Sequence, residues 1–138
     1  MNETQLENLC LDWFAENGWE VVHGIDIAPD SSNPLRKDYK QVLIESDLHA
    51  AFERLNPHLP MSCFEQVWQK LSKPESLDLV INNRTFHRML LEGVSVTYKK
   101  QDDWVHDHAF LVDFNHVANN RFVAINQFTI LGTKQPRR

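Results

Sequence analysis

The chain has 138 residues and a formal net charge of −5, with 14 Lys and Arg against 19 Asp and Glu. Its length suits one domain with a substantial hydrophobic core. The acidic balance excludes strong autonomous binding to nucleic acid, because proteins that neutralise phosphates are usually basic.

The first predicted element is an amphipathic helix in TQLENLCLDWFAENGW, residues 4–19. Thr4 is predicted to cap it, Glu7 would complete a capping box, and Asn17 with Gly18 would end it. Five apolar residues recur at helical spacing: Leu6, Leu9, Cys10, Trp13 and Phe14. A short strand at 20–23 and a mobile loop at 24–39, which is rich in proline and serine, are expected to follow.

Three more helices are predicted at residues 41–57, 62–71 and 75–91, before Gly93 ends the helical part. Three segments rich in Val, Ile, Phe, Thr and Tyr then predict a strand meander: GVSVTYKK, HDHAFLVDF and RFVAINQFTIL. Helices followed by strands favour a single α+β domain over residues 1–138. In it, a helical part (1–92) would flank a mixed, mainly antiparallel sheet (93–131).

Glu7 is the first candidate for chemistry. At about 100° per residue, Glu7 falls between Leu11 and Phe14, whereas Asn8, Asp12 and Glu16 form the polar face. A carboxylate that points toward a core is costly unless it is paired or binds a metal. The alternative is that Glu7 serves only the capping box or lies at the edge of the apolar arc.

A second candidate is the triplet His106-Asp107-His108, whose histidines would share one face of a strand. Asp113 could join them as a ligand, although no further ligands follow at a recognisable spacing. A polar turn entering a strand explains the triplet more simply, and the end of a hairpin explains Asp113. The metal interpretation therefore stays open only as an alternative.

Several functional classes have no motif in this sequence. There is no GxSxG nucleophile and no glycine-rich phosphate loop, so the chain itself is not expected to bind ATP. Cys10 and Cys63 are far apart and lack zinc-site spacing, which suits a reducing compartment. Without a signal peptide or an apolar run of roughly 18 residues, a cytoplasmic protein is expected.

Three blocks stand in a fixed order: LIESDLHAAFERLNPHLP, LVDFNHVANNRFVAINQFTILG and the closing PRR. They contain a helix ending in LNP-x-LP, then DF, NN-x-F and NQFT. This arrangement resembles the N-terminal nuclease domain of the R subunit of type I restriction endonucleases. The resemblance covers residues 3 to 138, almost the whole chain.

The resemblance implies a PD-(D/E)xK nuclease fold that cuts DNA with Mg²⁺ and precedes an ATP-driven translocase. The complete enzyme would work with methyltransferase and specificity subunits on unmethylated DNA. In such nucleases, a glutamate on the first core helix approaches the metal site. Glu7 matches that position, which makes it a candidate metal-shell carboxylate.

The family pattern is incomplete in this chain. Family members usually have Arg-Pro-Asp soon after the NQFT strand and Glu-x-Lys on a later strand. Neither motif fits residues 1–138, since Asp113 comes one strand too early and Lys134 follows no pair of acidic strands. We therefore expect a nuclease domain truncated before its catalytic strands, with Lys134, Arg137 and Arg138 as candidate DNA contacts.

Two hypotheses follow from the sequence. The chain is the front part of the Mg²⁺-dependent nuclease domain and is inactive by itself, or it is a non-catalytic module that docks to the motor or to the methyltransferase and specificity subunits. A strand ending at Leu131 with an open edge would also favour pairing with a second copy, so a homodimer is expected.

Overall fold

The computed structural model describes residues 1–132 and the backbone of residues 136 and 137. Four helices are present: α1 (Glu3–Glu16), α2 (Glu45–Leu55), α3 (Ser62–Ser72) and α4 (Leu79–Glu92). The strands are β1 (Glu20–His23), β2 (Val94–Lys100), β3 (Asp103–Ala109), β4 (Val123–Asn126), β5 (Ile130–Leu131) and β6 (Pro136–Arg137). This mixture of helices and small sheets confirms the α+β class. None of the helices in the described part is long and apolar enough to cross a membrane.

The chain forms two compact units, which are described separately. The first unit comprises Met1–Ile44 and Arg121–Arg138, and the second comprises Glu45–Asn120. The first unit therefore contains α1, β1, β4, β5 and β6, while the second contains the other helices and the β2–β3 pair.

In the first unit, β1 pairs with β4 in parallel, from Glu20 opposite Val123 to His23 opposite Asn126. The predicted meander is wrong at this point, because its third strand is β4 and pairs with β1 instead of extending the hairpin. The third predicted strand is also interrupted after Asn126, where Gln127 takes a left-handed conformation with φ 47°. Such a residue breaks the regular strand geometry.

The open edge expected at Leu131 is occupied in the structure. β5 pairs antiparallel with β6, and the Leu131 N–H also donates to the carbonyl oxygen of Tyr39 at 2.8 Å. Both sides of this short strand therefore have backbone partners. The homodimer stays a prediction, but an unpaired strand at Leu131 no longer supports it.

Helix α1 begins two residues earlier than predicted. The side chain of Asn2 accepts from the Gln5 N–H at 2.9 Å, and Gln5 Oε1 accepts from the Asn2 N–H at 3.0 Å. This reciprocal pair is a capping box, so Asn2 and Gln5 take the roles predicted for Thr4 and Glu7. Glu7 lies farther along the helix, and its side chain is not used at the N-terminus.

The apolar residues of α1 are mostly not buried in this structure. Leu11 is the one buried residue of the helix, whereas Leu6, Leu9 and Trp13 are more than half exposed. Phe14 is half-buried and packs against Trp19, whose ring also contacts Phe122. The face around Leu11 and Phe14 is therefore the face of α1 that packs against the rest of the first unit. Glu7 was predicted to lie on this face.

The second unit contains the main hydrophobic core. Its buried members come from α2, α3, β2, β3 and the segment between α2 and α3: Phe52, Leu59, Cys63, Phe64, Val67, Val94, Val96 and Ala109. The β2 residues Val94 and Val96 alternate with exposed or partly exposed neighbours, as one covered face of a strand requires. The antiparallel β2–β3 pair was predicted, although β3 ends at Ala109 and does not reach Asp113.

Helix α4 begins four residues later than predicted, at Leu79, but it ends at Gly93 as the sequence predicts. Asp78 caps α4 through its side chain, which accepts from the N–H groups of Val80 and Ile81. Gly93 ends the helix with φ 88°, and a Cβ there would lie 2.9 Å from the carbonyl oxygen of Ala109. A glycine is required at this position for both conformation and space.

Candidate functional site

A polar cavity of about 270 Å³ lies in the first unit, beyond the carboxyl ends of the parallel strands β1 and β4. Its walls come from the segments that follow these strands and from the loop before α2: Gly24, Ile25, Ala28, Asp30, Arg36, Tyr39, Gln127 and Thr129. Sites at the carboxyl ends of parallel strands are common in α/β sheets, because the chain diverges there and leaves a crevice.

The two strands leave this edge in close contact. A Cβ on Gly24 would lie 2.5 Å from the Gln127 carbonyl oxygen and closer still to that of Asn126. The side-chain oxygen of Asn126 accepts from the Gly24 N–H at 3.2 Å and lies 3.2 Å from His23 Nδ1. The loop after β1 is thus fixed against the end of β4, and this contact positions Gln127.

Glu7 approaches the same edge from α1. Gln127 Nε2 donates to Glu7 Oε2 at 3.1 Å, so one carboxylate oxygen has a partner. The other oxygen, Oε1, is buried and has no hydrogen-bond partner among the described residues. The expectation of an inward-pointing Glu7 agrees with this geometry, while its role in metal binding stays a prediction. A buried carboxylate oxygen without a partner is unfavourable in a folded protein unless a ligand meets it.

Arg36 is the second unusual group at this edge, and only 3% of it is exposed. Its Nε donates to the Gln41 carbonyl at 2.8 Å, and its Nη2 donates to the carbonyls of Tyr39 (3.3 Å) and Thr129 (2.9 Å). The guanidinium also lies 3.9 Å from the centre of the Phe128 ring. Burial lowers the pKa of this guanidinium below its ordinary value, since desolvation disfavours the charged form.

An acidic group lies on the cavity wall as well. Asp30 is exposed, and its Oδ1 accepts from the Tyr39 hydroxyl at 2.7 Å. The cavity therefore presents a cation in its wall and an anion at its exposed side, together with the amide of Gln127. This combination can bind polar groups by hydrogen bonds from fixed donors.

Comparison with known proteins places the whole chain in a family. The whole chain, residues 1–138, matches the family model described as the type I restriction enzyme R protein N terminus. The chain belongs to this family. It is 36% identical over 138 residues to the type I restriction enzyme HindI endonuclease subunit of Haemophilus influenzae, and 100% of the chain but 13% of that relative is covered.

A second member of the type I restriction family is more distant. A Methanocaldococcus jannaschii protein that carries the name of a type I restriction endonuclease subunit, MjaIXP, is 22% identical over 125 residues, which cover 91% of this chain and 12% of that protein. The chain thus spans about an eighth of the length of these relatives. No solved structure shows a significant match to the chain.

The structure does not bring the other sequence candidates into this site. His106 and His108 are exposed on β3 in the second unit, where they lie opposite Thr97 and Ser95. Throughout the described residues, no group of three or more His, Cys, Asp or Glu side chains is close enough to hold a metal ion. The alternative metal site formed by His106, His108 and Asp113 is therefore wrong.

Asp113 organises a loop in the second unit and lies after the end of β3. Its carboxylate accepts from the N–H groups of Asn115 (3.0 Å) and His116 (2.8 Å) and from Asn119 Nδ2 (3.0 Å). Hydrogen bonds from the Asn119 side chain, and then from the His116 backbone, lower the pKa of Asp113. These contacts agree with a structural carboxylate at the end of the hairpin.

The predicted DNA contacts cannot be placed. Lys134 and Arg138 lie outside the described residues, and only the backbone of Arg137 is described, opposite Ile130. Neither Arg36 nor Gln127 was predicted as a site residue. Arg36 occurs in a proline- and serine-rich loop where burial has no periodic signal, although Gln127 does lie within the NQFT block.

Proposed function

We propose that this chain is the N-terminal part of a type I restriction endonuclease subunit and supplies one side of its DNA-cleaving site. Membership of the family and 36% identity to the Haemophilus influenzae subunit support this proposal. The observation that carries it is Glu7, whose buried Oε1 has no partner among the described residues at the edge where β1 and β4 end. The nuclease fold of the PD-(D/E)xK type belongs to the same proposal.

A magnesium ion needs several oxygen ligands, and the described residues do not provide them. Carboxylate oxygens suit Mg²⁺, so Glu7 Oε1 is a fitting donor. However, Glu7 has no further ligands beside it, because no cluster of three acidic or metal-binding side chains exists in the described part of the chain. We therefore assign one oxygen of the metal environment to Glu7 and place no step of cleavage on these residues alone.

Within this proposal, the residues of the chain hold Glu7 in position. Gln127 binds Oε2 and thereby directs Oε1 toward the metal environment, and Gly24 permits the close approach that fixes Gln127. The bound metal would polarise a phosphodiester and activate water in the complete site. ATP would be bound by a motor outside this chain, and methyltransferase and specificity subunits would be the partners of the complex.

A cleavage assay tests this proposal. We expect the purified chain with Mg²⁺ to leave supercoiled DNA intact, and the longer endonuclease subunit, assembled in its restriction complex, to cleave it. Glu7→Gln in that subunit should abolish cleavage. Glu16→Gln, a change of the same type on the exposed face of α1, is the matched control and should retain it.

Two results would overturn the proposal. Cleavage by the complex that survives Glu7→Gln would remove the role of Glu7. Mg²⁺-dependent nicking by the chain alone, abolished by Glu7→Gln, would show that the chain has a complete site.

A docking role is the second candidate, and one feature of the second unit favours it. Helix α4 has no buried residue, yet it exposes Leu79, Val80, Ile81 and Leu91. Exposed apolar clusters of this kind often mark protein interfaces. We expect Val80→Glu combined with Leu91→Glu to abolish capture of the methyltransferase and specificity subunits if α4 docks to them. Unchanged capture would exclude α4 from that contact.

A further inference from the structure

Arg36, which lines the cavity beside Glu7, has unused hydrogen-bond donors. A guanidinium has five N–H groups, and the three hydrogen bonds of Arg36 involve only Nε and Nη2. In the described residues, Nη1 has no hydrogen-bond partner, and Arg36 makes no ion pair with a carboxylate. Glu7 Oε1 is the fully buried side-chain atom without a partner in this part of the chain. Arg36 is one of the residues that line the cavity.

Two roles of Arg36 can be separated atom by atom. Nε and Nη2 join the loop at residues 36–41 to the segment after β4, which is a structural role. Nη1 contributes nothing to that anchoring, although it belongs to the same buried cation. Burial disfavours the charged form and lowers the pKa of Arg36, and the electrostatic influence of Tyr39 and Asp38 offsets this effect only in part. An anion in the cavity would complete this compensation.

We propose that this cavity is a phosphate subsite, in which the Nη1 group of Arg36 binds one phosphodiester of a DNA strand. The identity of the strand as DNA rests on the proposed function. The volume of about 270 Å³ lies at the lower limit of sites for drug-sized ligands, roughly 300–1,000 Å³, and suits one chemical group rather than a whole nucleotide. Gln127 connects the subsite to Glu7, because its side chain binds Glu7 and lines the cavity.

Replacement of Asp30 distinguishes a phosphodiester from a nucleobase as the ligand of this cavity. A carboxylate repels a phosphodiester, whereas it would accept a hydrogen bond from a base amino group. Asp30→Asn should therefore strengthen phosphate binding and weaken base binding. Because Asp30 is exposed, the change acts mainly on the electrostatics of the cavity. Asp12→Asn removes the same charge from the exposed face of α1 and controls for the net charge of the chain.

The experiment measures binding of a ten-nucleotide oligothymidylate and of an abasic strand of the same length, both with the full chain in EDTA. The side-chain N–H resonances of ¹⁵N-labelled arginine report on Arg36. We expect both strands to bind with affinities within about two-fold of each other, and Asp30→Asn to tighten binding about three-fold or more at low salt, as removal of a nearby like charge should. Asp12→Asn should change it much less.

Arg36→Lys keeps the charge and removes Nη1, and it should abolish binding. Because Arg36 also anchors the loop, the fold of this variant is checked by its amide spectrum. The proposal is overturned if the abasic strand does not bind, if Asp30→Asn weakens binding or leaves it unchanged, or if folded Arg36→Lys binds normally. The measurement needs neither metal nor cleavage, so its failure is distinct from a failure of the proposed nuclease function.

Discussion

The two units differ in how completely their buried polar groups are hydrogen-bonded. In the second unit, Asn56 is 1% exposed, and its side chain donates to the carbonyls of Phe52 and Phe110 and accepts from the Phe110 N–H. In the first unit, the buried Oε1 of Glu7 has no hydrogen-bond partner among the described residues. A buried polar group that has all its partners stabilises a fold, whereas one that lacks a partner lowers stability. We infer from this contrast that the buried polar group of the second unit stabilises the fold, whereas that of the first unit serves to bind a ligand.

The largest effect is expected where the polar group is fully satisfied. Asn56→Ala would leave the backbone N–H and carbonyl of Phe110 without their partner, whereas the Phe52 carbonyl still accepts from the Asn56 N–H, and the change would also open a cavity. We expect it to lower the free energy of unfolding by about 2–4 kcal/mol, measured by urea denaturation. The control is Asn83→Ala on the exposed surface of α4, which should change this quantity by less than about 0.5 kcal/mol. Equal decreases in the free energy of unfolding for the two changes would contradict the stabilising role of Asn56 in the second unit.

The amount of structure that the sequence revealed also differs between the units. The second unit follows periodic signals: Phe52 and Val67 lie on apolar helix faces, and Val94 and Val96 alternate along a strand. These signals depend on local spacing, so α3 and β2 were predicted closely, while α2 is shorter than predicted and β3 begins and ends earlier than predicted.

The first unit depends on contacts between distant segments. Gln127 reaches Glu7 across 120 positions, and Arg36 reaches Thr129 across 93. No local spacing reports such contacts, and the parallel β1–β4 pairing was missed for the same reason. Glu7 was found because its position on a helix is periodic, while Arg36 occurs in an irregular loop and gave no signal.

The cysteines provide a second test of the compact second unit. Cys63 is fully buried there, and burial raises the pKa of its thiol, so both access and thiolate formation are reduced. Cys10 is exposed on α1 in the first unit. We expect an aromatic disulfide reagent to modify one thiol per native chain, and both thiols after unfolding. Loss of the fast reaction in Cys10→Ser would identify the site, and rapid modification of Cys63 would contradict a closed core.

A smaller decrease in stability is expected at low pH, where Asp113 becomes protonated. The pKa of Asp113 in the folded chain lies below its ordinary value of 3.8, because the ionised form accepts hydrogen bonds from Asn119 and the His116 backbone. Its stabilising contribution is therefore fully present above the unfolded pKa and is lost as the pH falls through the folded pKa. We expect unfolding midpoints in urea to fall below about pH 4, and to fall less in Asp113→Asn. Identical acid dependence of the two proteins would contradict this role.

The unfolding free energy of Glu7→Met tests the contrast between the units most directly. Methionine removes the buried oxygen for which the described part of the chain offers no partner, and the amide of Gln127, an exposed residue, can return to water. We expect the free energy of unfolding to stay within about 0.5 kcal/mol of the unchanged chain or to increase, as is common when a functional group is replaced. A decrease of more than about 1 kcal/mol, approaching that of Asn56→Ala, would show that Glu7 is a structural residue.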